Sequence, residues 1–450
     1  VVAYTNFDTA NVTGAANFTV TGNLSVDGGT IKLDGNYPVG TGNVALGDAA
    51  MNGSISGNYN TAVGQVAGTA LTSGTKNAFF GSYTADANTT GSNNTAIGQA
   101  AFSANTTGGN NTAVGNDALL SNTTASNNTA VGYQSLETNT TGASNVAVGY
   151  KTLEANTTAN SNTAAGFAAM AANTTGASNT AFGREALLDN TTGASNVAMG
   201  REALANNTTA SYNTALGYQA GLNATTGSVN TFVGGLSAGS GVVTGSHNVG
   251  LGAETLYRLT SGGSNVSIGY QALQFNTTGS SNVAIGREAL ENNTTGNVNT
   301  ATGHNALLTN TTGFENTASG ANSLKLNTTG YYNSSFGSGS LLSNTTGIQN
   351  TAVGRYALIS NTTASNNTAV GYQAGNAITT GVDNTLIGRS TGSHENDLIS
   401  GCCNVLVGAY TATTTTNANY AMALGYNLDA AAGYTTFGEA ANDIRAAHGN

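Results

Sequence analysis

The sequence predicts an all-β chain, a parallel β-solenoid of about 22 coils, and three observations support this fold class. A block that opens with Asn recurs every 17 residues from Asn43 to Asn230, resumes at Asn248, and continues to Asn384 and Asn404. Seventeen residues are too few for the two helices of a helical repeat unit. Every block also has Gly four residues after its Asn, from Gly47 to Gly408, and this glycine would interrupt a helix.

Each coil is numbered here from its opening Asn, position 0, to position 16. The consensus is clear in residues 128–144, NTAVGYQSLETNTTGAS. Repetition at a short fixed period is typical of solenoids, in which neighbouring coils bury the apolar face that one coil cannot bury alone. At a strand spacing of about 4.8 Å, these coils predict a rod about 105 Å long.

Positions 0 to 4 predict a short strand whose side chains alternate between two faces. Position 3 is large and apolar, so we expect it to point into the coil together with the Thr or Val of position 1. The position 3 residues include Val63, Phe80, Ile97, Val114, Val131, Val148, Phe182, Met199, Leu216, Ile285 and Val370. Position 8 is expected to supply a second inward anchor. Its leucines are Leu119, Leu136, Leu153, Leu187, Leu204, Leu273, Leu290, Leu307 and Leu358.

This phase of the strand places the Ala of position 2 and the Gly of position 4 on the outer face. The resulting column of small residues predicts close approach of a second chain, and therefore a subunit interface. The column includes Ala96, Ala113, Ala130, Ala147, Ala164, Ala181, Ala198 and Ala215. The alternative is that Gly provides a positive φ at a corner of the coil and that Ala is merely tolerated.

The Asn-Thr-Thr segment of positions 11 to 13 occurs 14 times between Asn88 and Asn361, usually followed by Gly. Asn and Gly tolerate left-handed backbone, so the segment predicts a turn. Stacked Asn side chains could also form amide ladders, as in other cross-β stacks. Asn-Thr-Thr satisfies the glycosylation sequon as well, which leaves a glycosylated rod as an alternative.

The repeats divide the chain into three parts. Residues 1–42 lack the period and predict a strand-rich cap or joint, with alternating apolar residues from Phe18 to Leu33. Residues 43–408 form the repeat shaft, and residues 409–450 are expected to form irregular coils that cap an open sheet edge. Any local function is expected where the repeat breaks down, at the two ends and near residues 235–247 and 390–403.

Composition argues against several functions. Eleven Lys and Arg stand against 21 Asp and Glu, a formal charge of −10, so a nucleic-acid surface is not expected. No apolar run is long enough for a transmembrane helix. Position 5 and 6 pairs such as Arg184-Glu185 and Tyr133-Gln134 predict a solvated edge or, as an alternative, a carbohydrate-facing one.

One short segment resembles a metal or nucleophile cluster. Residues 393–404 bring together His394, Glu395, Asp397, Cys402 and Cys403. The segment lies in the extra residues of an irregular coil, and no zinc spacing or Cys-x-x-Cys pair is present. We therefore predict a surface loop with unpaired thiols, no catalytic, cofactor or metal site, and no enzymatic activity; cross-chain disulfides remain the alternative.

The Asn-Thr-Ala-Val-Gly blocks, and Asn-Val-Ala-Ile-Gly at residues 282–286, resemble the head repeats of trimeric autotransporter adhesins. That resemblance implies a left-handed parallel β-roll in a homotrimer that binds host surfaces. The family repeat is shorter than 17 residues, and its neck, coiled-coil stalk and membrane barrel have no counterpart here. Together with the LSVDGGTIKLDG leader, the Asn-Thr-Thr-Gly blocks look more like tail fibre or appendage proteins of environmental bacteriophages.

These features predict a homotrimeric structural fibre of a virion that holds or presents a host-adhesion tip. Its expected partners are copies of itself, other virion proteins at its ends, and a host glycan or protein. The first alternative is an adhesin or extracellular filament on a bacterial cell surface. The second is an ice- or surface-binding solenoid that uses the aligned threonines of Asn-Thr-Thr.

Overall fold

The structure is a computed structural model that describes residues 40–393, 397–439 and 442–447. Over these ranges it is an all-β parallel solenoid with a 17-residue spacing and no helix, as the sequence predicted. The apolar residues of the expected N-terminal cap, from Phe18 to Leu33, lie outside the described residues. So do His394, Glu395 and His448.

Each coil of the shaft contributes one three-residue strand to a single parallel sheet. The strands are β1 (Val44–Leu46), β2 (Thr61–Val63), β3 (Ala78–Phe80), β4 (Thr95–Ile97), β5 (Thr112–Val114), β6 (Thr129–Val131), β7 (Val146–Val148), β8 (Thr163–Ala165), β9 (Thr180–Phe182), β10 (Val197–Met199), β11 (Thr214–Leu216), β12 (Thr231–Val233), β13 (Val249–Leu251), β14 (Val266–Ile268), β15 (Val283–Ile285), β16 (Thr300–Thr302), β17 (Thr317–Ser319), β18 (Ser334–Phe336), β19 (Thr351–Val353), β20 (Thr368–Val370), β21 (Thr385–Ile387) and β22 (Val405–Val407).

The C-terminal strands continue this sheet and then reverse it. They are β23 (Ala412–Thr413), β24 (Met422–Tyr426), β25 (Asp429–Ala430), β26 (Tyr434–Glu439) and β27 (Asn442–Ala447). β24 pairs in parallel with β22 and β26 with β24, whereas β27 pairs antiparallel with β26. β23 and β25 form a separate two-stranded sheet. An antiparallel hairpin therefore ends the parallel stack.

Backbone hydrogen bonds join successive coils well beyond the strands. In the strands, Ala198 lies opposite Ala215, one period later. Outside them, the Leu187 N–H donates to the Ala203 oxygen at 3.0 Å and the Thr191 N–H donates to the Thr208 oxygen at 2.9 Å. Each coil is therefore attached to the next around its perimeter, and this regular bonding fixes the 17-residue register.

The prediction of which strand positions point into the coil was wrong. Ala198 at position 2 is fully buried, whereas Met199 at position 3 is 39% exposed. Position 1 is half-buried on the same outer side as position 3. Because side chains alternate along a strand, this one-residue difference turns the residues of position 3 outward and those of position 2, mostly Ala, inward. Ala130, Ala147 and Ala164 are fully buried, so they cannot form the predicted interface.

The interior is too narrow for large residues at position 2, because positions 2 and 7 of one coil face each other. Where both are serine, the Oγ atoms of Ser335 and Ser340 are only 2.5 Å apart. In another coil the Ser267 hydroxyl reaches across to donate to the backbone oxygen of Ala272 at 2.7 Å. Close packing between the two walls of the coil therefore favours small residues at both positions, most often alanine.

Four coils show the same constraint by compensation. A large residue at position 2 is accompanied by Gly or Ala at position 8, where other coils have Leu, Met or Phe, both in its own coil and in the coil before. For the first three sets below, a Cβ added to the glycine of the preceding coil would crowd the large side chain. The sets are Phe79 with Gly68 and Ala85, Phe232 with Gly221 and Ala238, Leu386 with Gly375 and Gly392, and Leu406 with Gly392 and Ala412.

The predicted leucine column at position 8 is confirmed, since Leu119, Leu187 and Leu307 are fully buried, like the other leucines assigned to it. Leu204 has a φ of 49°. Such left-handed conformations are unfavourable for residues with a Cβ and persist where surrounding structure fixes them. Here the apolar burial and the bonds between coils hold the leucines in place.

The glycine of position 4 forms a corner, which is the alternative considered above. Gly200 has a φ of 137°, a region open essentially only to glycine. A Cβ on Gly200 would also overlap the carbonyl group of Gly217 in the next coil. Backbone conformation and the close approach of the next coil both require glycine there.

Replacing Gly200 with Ala is expected to destabilise the coil by about 3 kcal/mol, at the upper end for a strained backbone position. The matched control is Gly193→Ala, at position 14, where Ala125, Ala159 and Ala210 occur naturally. An added Cβ there also comes close to a backbone oxygen of the next coil, but φ is not positive, so the pair of variants isolates the effect of the backbone conformation. The control should change stability by less than about 1 kcal/mol. Hydrogen exchange of peptides that cover residues 183–217 measures the local effect. Equal loss of protection in both variants would contradict the assigned role of Gly200.

Candidate functional site

The asparagines of position 11 are buried, and their side chains are hydrogen-bonded to one another from coil to coil. Asn190 Nδ2 donates to Asn173 Oδ1 at 2.7 Å and to the Gly193 backbone oxygen at 3.0 Å. The same pattern recurs in two runs, from Asn88 to Asn207 and from Asn276 to Asn361. The predicted amide ladders are confirmed, and in their interior each amide has partners in the adjacent coils.

Each ladder ends with an unmatched oxygen. Ala224 follows Asn207 in the column, and Ile378 follows Asn361. The last Oδ1 therefore meets no amide donor, and in the described part of the chain Asn207 Oδ1 and Asn361 Oδ1 have no hydrogen-bond partner. The position 11 asparagines are fully buried, so a glycan on Nδ2 would be incompatible with this packing.

A second asparagine column, at position 0, explains why every coil opens with this residue, a role that the sequence reasoning missed. The Asn196 backbone N–H donates to Asn179 Oδ1 at 2.9 Å, and Asn196 Nδ2 donates to the Ala210 backbone oxygen at 2.9 Å. The side chain thus bonds to the adjacent coil and closes its own coil. A buried polar side chain with these partners fixes both register and corner.

The outer face of the sheet carries an apolar stripe, which Thr302 and Ser319 interrupt in two neighbouring coils. Position 3 of the shaft and the matching residues of β24, β26 and β27 form this stripe, flanked by the Thr or Val of position 1. Its most exposed members are Leu46, Phe80, Ile97, Val148, Phe182, Met199, Leu216, Leu251, Ile285, Phe336, Val353, Ile387, Leu424, Phe437 and Ile444.

The sheet face that carries the stripe is larger than the apolar patches of ordinary soluble monomers. Twenty-five strands at about 4.8 Å, each about 10 Å long, give a whole outer face of roughly 1,200 Å², which the stripe shares with the Thr or Val of position 1. Monomeric proteins rarely expose contiguous apolar patches above a few hundred Å². The backbone of every strand between β1 and β27 is already paired within the sheet, so the stripe offers side chains rather than a free edge.

The edge at position 5 carries a stack of rings and guanidinium groups beside the stripe. The rings of Tyr133 and Tyr150 stack at 5.4 Å, those of Tyr150 and Phe167 at 5.1 Å, and Arg184 lies 5.8 Å from the Phe167 ring. These interactions cover the ring faces and leave the edges toward solvent. The carbohydrate-facing alternative needs open ring faces, which the interior of this stack does not offer.

The Arg-Glu pairs of positions 5 and 6 form ion pairs within single coils. Arg184 and Glu185 approach to 2.9 Å, and Arg201 and Glu202 to 2.7 Å. Their arginine side chains are more than half exposed. Ion pairs of this kind contribute about 0–1 kcal/mol, so the pairs are consistent with the predicted solvated edge.

The expected cluster near residues 393–404 is only partly described. Asp397 is exposed, and Cys403 Sγ lies 2.9 Å from Cys402 Sγ. The contact with the Cys403 thiol, together with burial, raises the pKa of Cys402 to about 11, which keeps this thiol protonated near neutral pH. Within residues 40–393, 397–439 and 442–447 no three His, Cys, Asp or Glu side chains gather where they could hold a metal ion.

The two threonines of Asn-Thr-Thr have different environments. The Thr191 hydroxyl donates to the backbone oxygen of Thr208 at 3.0 Å, whereas Thr192 is exposed. The segment therefore presents one open threonine per coil. A flat array with two aligned threonines per coil, as the ice-binding alternative requires, is not formed by these residues.

No family model matches the chain, and no curated protein matches it. Across the described ranges, the chain contains no helix of the length and apolarity needed to cross a membrane.

Proposed function

We propose that this chain is a shaft segment of an extracellular structural fibre. Its place is a virion, as a phage tail fibre or appendage that holds or presents a host-adhesion tip. The observation that carries the proposal is the unbroken register of parallel coils from β1 to β24. A rod whose coils are hydrogen-bonded to one another along its whole length holds its two ends at a fixed separation and carries force between them.

The apolar stripe is assigned to association with further copies of this chain. An outer face of roughly 1,200 Å² exceeds the about 800 Å² per partner that stable interfaces bury. An identical copy repeats the stripe with the same spacing over the same length. In a trimer with one central axis, the three stripes meet at that axis. The choice of three copies rests on the resemblance to trimeric adhesin heads.

The edge beside the stripe has a composition suited to the rim of such an interface. Tyr133, Tyr150, Phe167, Arg184 and Arg201 lie next to the stripe in successive coils. Tyr, Phe and Arg are enriched in protein interfaces relative to other surfaces. This surface supports association through the outer sheet face, in place of the Ala column that the sequence suggested.

Electron microscopy tests the proposal. The purified chain is expected to form straight rods about 110 Å long, from roughly 23 coils at about 4.8 Å. An antibody against it should label appendages of virions released from the source culture. Labelling of bacterial surfaces would favour the adhesin or filament alternative, and soluble single chains with no particle or cell labelled would contradict the fibre proposal.

A further inference from the structure

A groove runs across four consecutive coils away from the stripe, between the columns of positions 10 and 12. It is open to solvent on its outer side and has a volume of about 460 Å³. Arg258, Phe275, Asn292 and Thr309 line it from position 10. Three threonines of position 12 form its other side: Thr277, Thr294 and Thr311.

Arg258 and Phe275 form one end wall of the groove. In the coils before them position 10 carries short side chains, such as Ala155, Ala172 and Ser240. The two large side chains of Arg258 and Phe275 therefore project beyond the short side chains of the preceding position 10 residues and form the wall. The Arg258 guanidinium lies 5.0 Å from the centre of the Phe275 ring and covers one face of that ring.

The other face of Phe275 looks along the column toward the next coils. Asn292 turns away from the ring, since its Nδ2 donates to the Leu308 backbone oxygen of the following coil at 3.0 Å. Thr309 stands two coil steps, or about 9.6 Å, from Phe275. The space above Asn292 therefore admits one six-membered ring stacked on Phe275.

The polar groups of the groove favour a hydroxylated anion. Among the described residues Arg258 has no carboxylate within ion-pair distance, whereas Arg184, Arg201 and Arg287 each have one. The hydroxyls of Thr277, Thr294 and Thr311 donate to backbone oxygens of the next coil, at 3.0 to 3.1 Å. Their oxygens can still accept hydrogen bonds from a ligand.

We propose that this groove is a binding subsite for an acidic saccharide, with the sugar ring on Phe275 and its carboxylate at Arg258. The inference rests on the proposed function, because a fibre whose tip adheres to a host brings its shaft near the glycans of that surface. Thr309 and the position 12 threonines accept hydrogen bonds from the sugar hydroxyls. A guanidinium in contact with a carboxylate gives a charge-assisted hydrogen bond, which selects acidic over neutral sugars.

The test is saturation-transfer NMR on the full chain with trigalacturonate and, as a matched neutral probe, its methyl ester. We expect a Kd for trigalacturonate of about 1 mM, typical of a single open subsite. Phe275→Ala should weaken binding of both probes at least about tenfold. Arg258→Gln should remove the preference for the acid, whereas Arg355→Gln, at a cation over Tyr356 outside the groove, should leave it unchanged.

Three results would overturn the subsite. One is the absence of saturation transfer to trigalacturonate, sialyllactose and an alginate trimer up to about 20 mM. The others are equal affinity of the wild-type chain for acid and ester, and binding that Phe275→Ala leaves intact. Circular dichroism confirms that each variant is folded. Loss of the subsite leaves rod formation unchanged, so its failure is distinct from failure of the fibre proposal.

Discussion

Replacing Phe182, Met199 and Leu216 with Glu is expected to separate the assembled fibre into single chains that keep their fold. These side chains are 39%, 39% and 46% exposed in the single chain, so a carboxylate at each position stays hydrated there. In the assembly each carboxylate would be buried without a partner and beside like charges, which is strongly unfavourable. The dissociation constant should rise by more than about 10³-fold, and light scattering measures the mass.

The matched control places the same charges on another side of the same coils. Thr175, Thr192 and Thr209 are exposed at position 13, and their replacement with Glu should leave the mass of the assembly unchanged. Circular dichroism should be the same for both triple variants. An assembly that survives the stripe substitutions, or a wild-type chain that is already a monomer, would refute association through this face.

Replacing Asn156 with Leu is expected to open the middle of the first amide ladder. Asn139 Oδ1 would lose the donor that now lies 2.8 Å away, and Asn173 Nδ2 would lose an acceptor at 3.0 Å. Asn173 Nδ2 keeps its bond to the Gly176 oxygen, whereas the Ala159 oxygen also loses the donor that now lies 3.2 Å away. Each bond lost inside the buried ladder costs about 1–3 kcal/mol, so the local loss should be about 4 kcal/mol. Hydrogen exchange of peptides over residues 139–173 should accelerate by about 10³-fold, if exchange follows local opening.

Asn207→Leu is the control, because Asn207 is the last residue of the same ladder. Its Oδ1 already has no partner, and the substitution only transfers that defect to Asn190 Oδ1. Leucine is sterically accepted in this column, as Leu71 and Leu259 show. Exchange near residue 207 should change less than about tenfold. Equal effects in the two variants would show that ladder continuity contributes little.

The period, the parallel register, the leucine column and the amide ladders could all be predicted, because each follows from spacing alone. The strand phase could not be obtained from hydrophobicity. Met199 is more apolar than Ala198, yet Ala198 is the residue that fits the narrow interior. The signal that could have set the phase is the compensation at Phe79 and Phe232, where position 8 loses its leucine.

The groove could not be predicted from the sequence either. The sequence placed local function in the irregular coils near residues 235–247 and 390–403. Arg258 and Phe275 lie in regular coils just after the first of these, 17 residues apart. Only the stacked geometry shows that they form one wall and that Asn292 turns away from it.

The asparagine ladders have the same polarity along the shaft. In each rung Nδ2 of one coil donates to Oδ1 of the coil before, so every coil presents an acceptor to the coil that follows it in the sequence. Nearly identical coils would allow slippage by one period, but Ala224, Val243 and Leu259 interrupt the column once. A coil that paired one period out of place would set a buried Asn against one of these apolar residues and leave its amide without a hydrogen-bond partner.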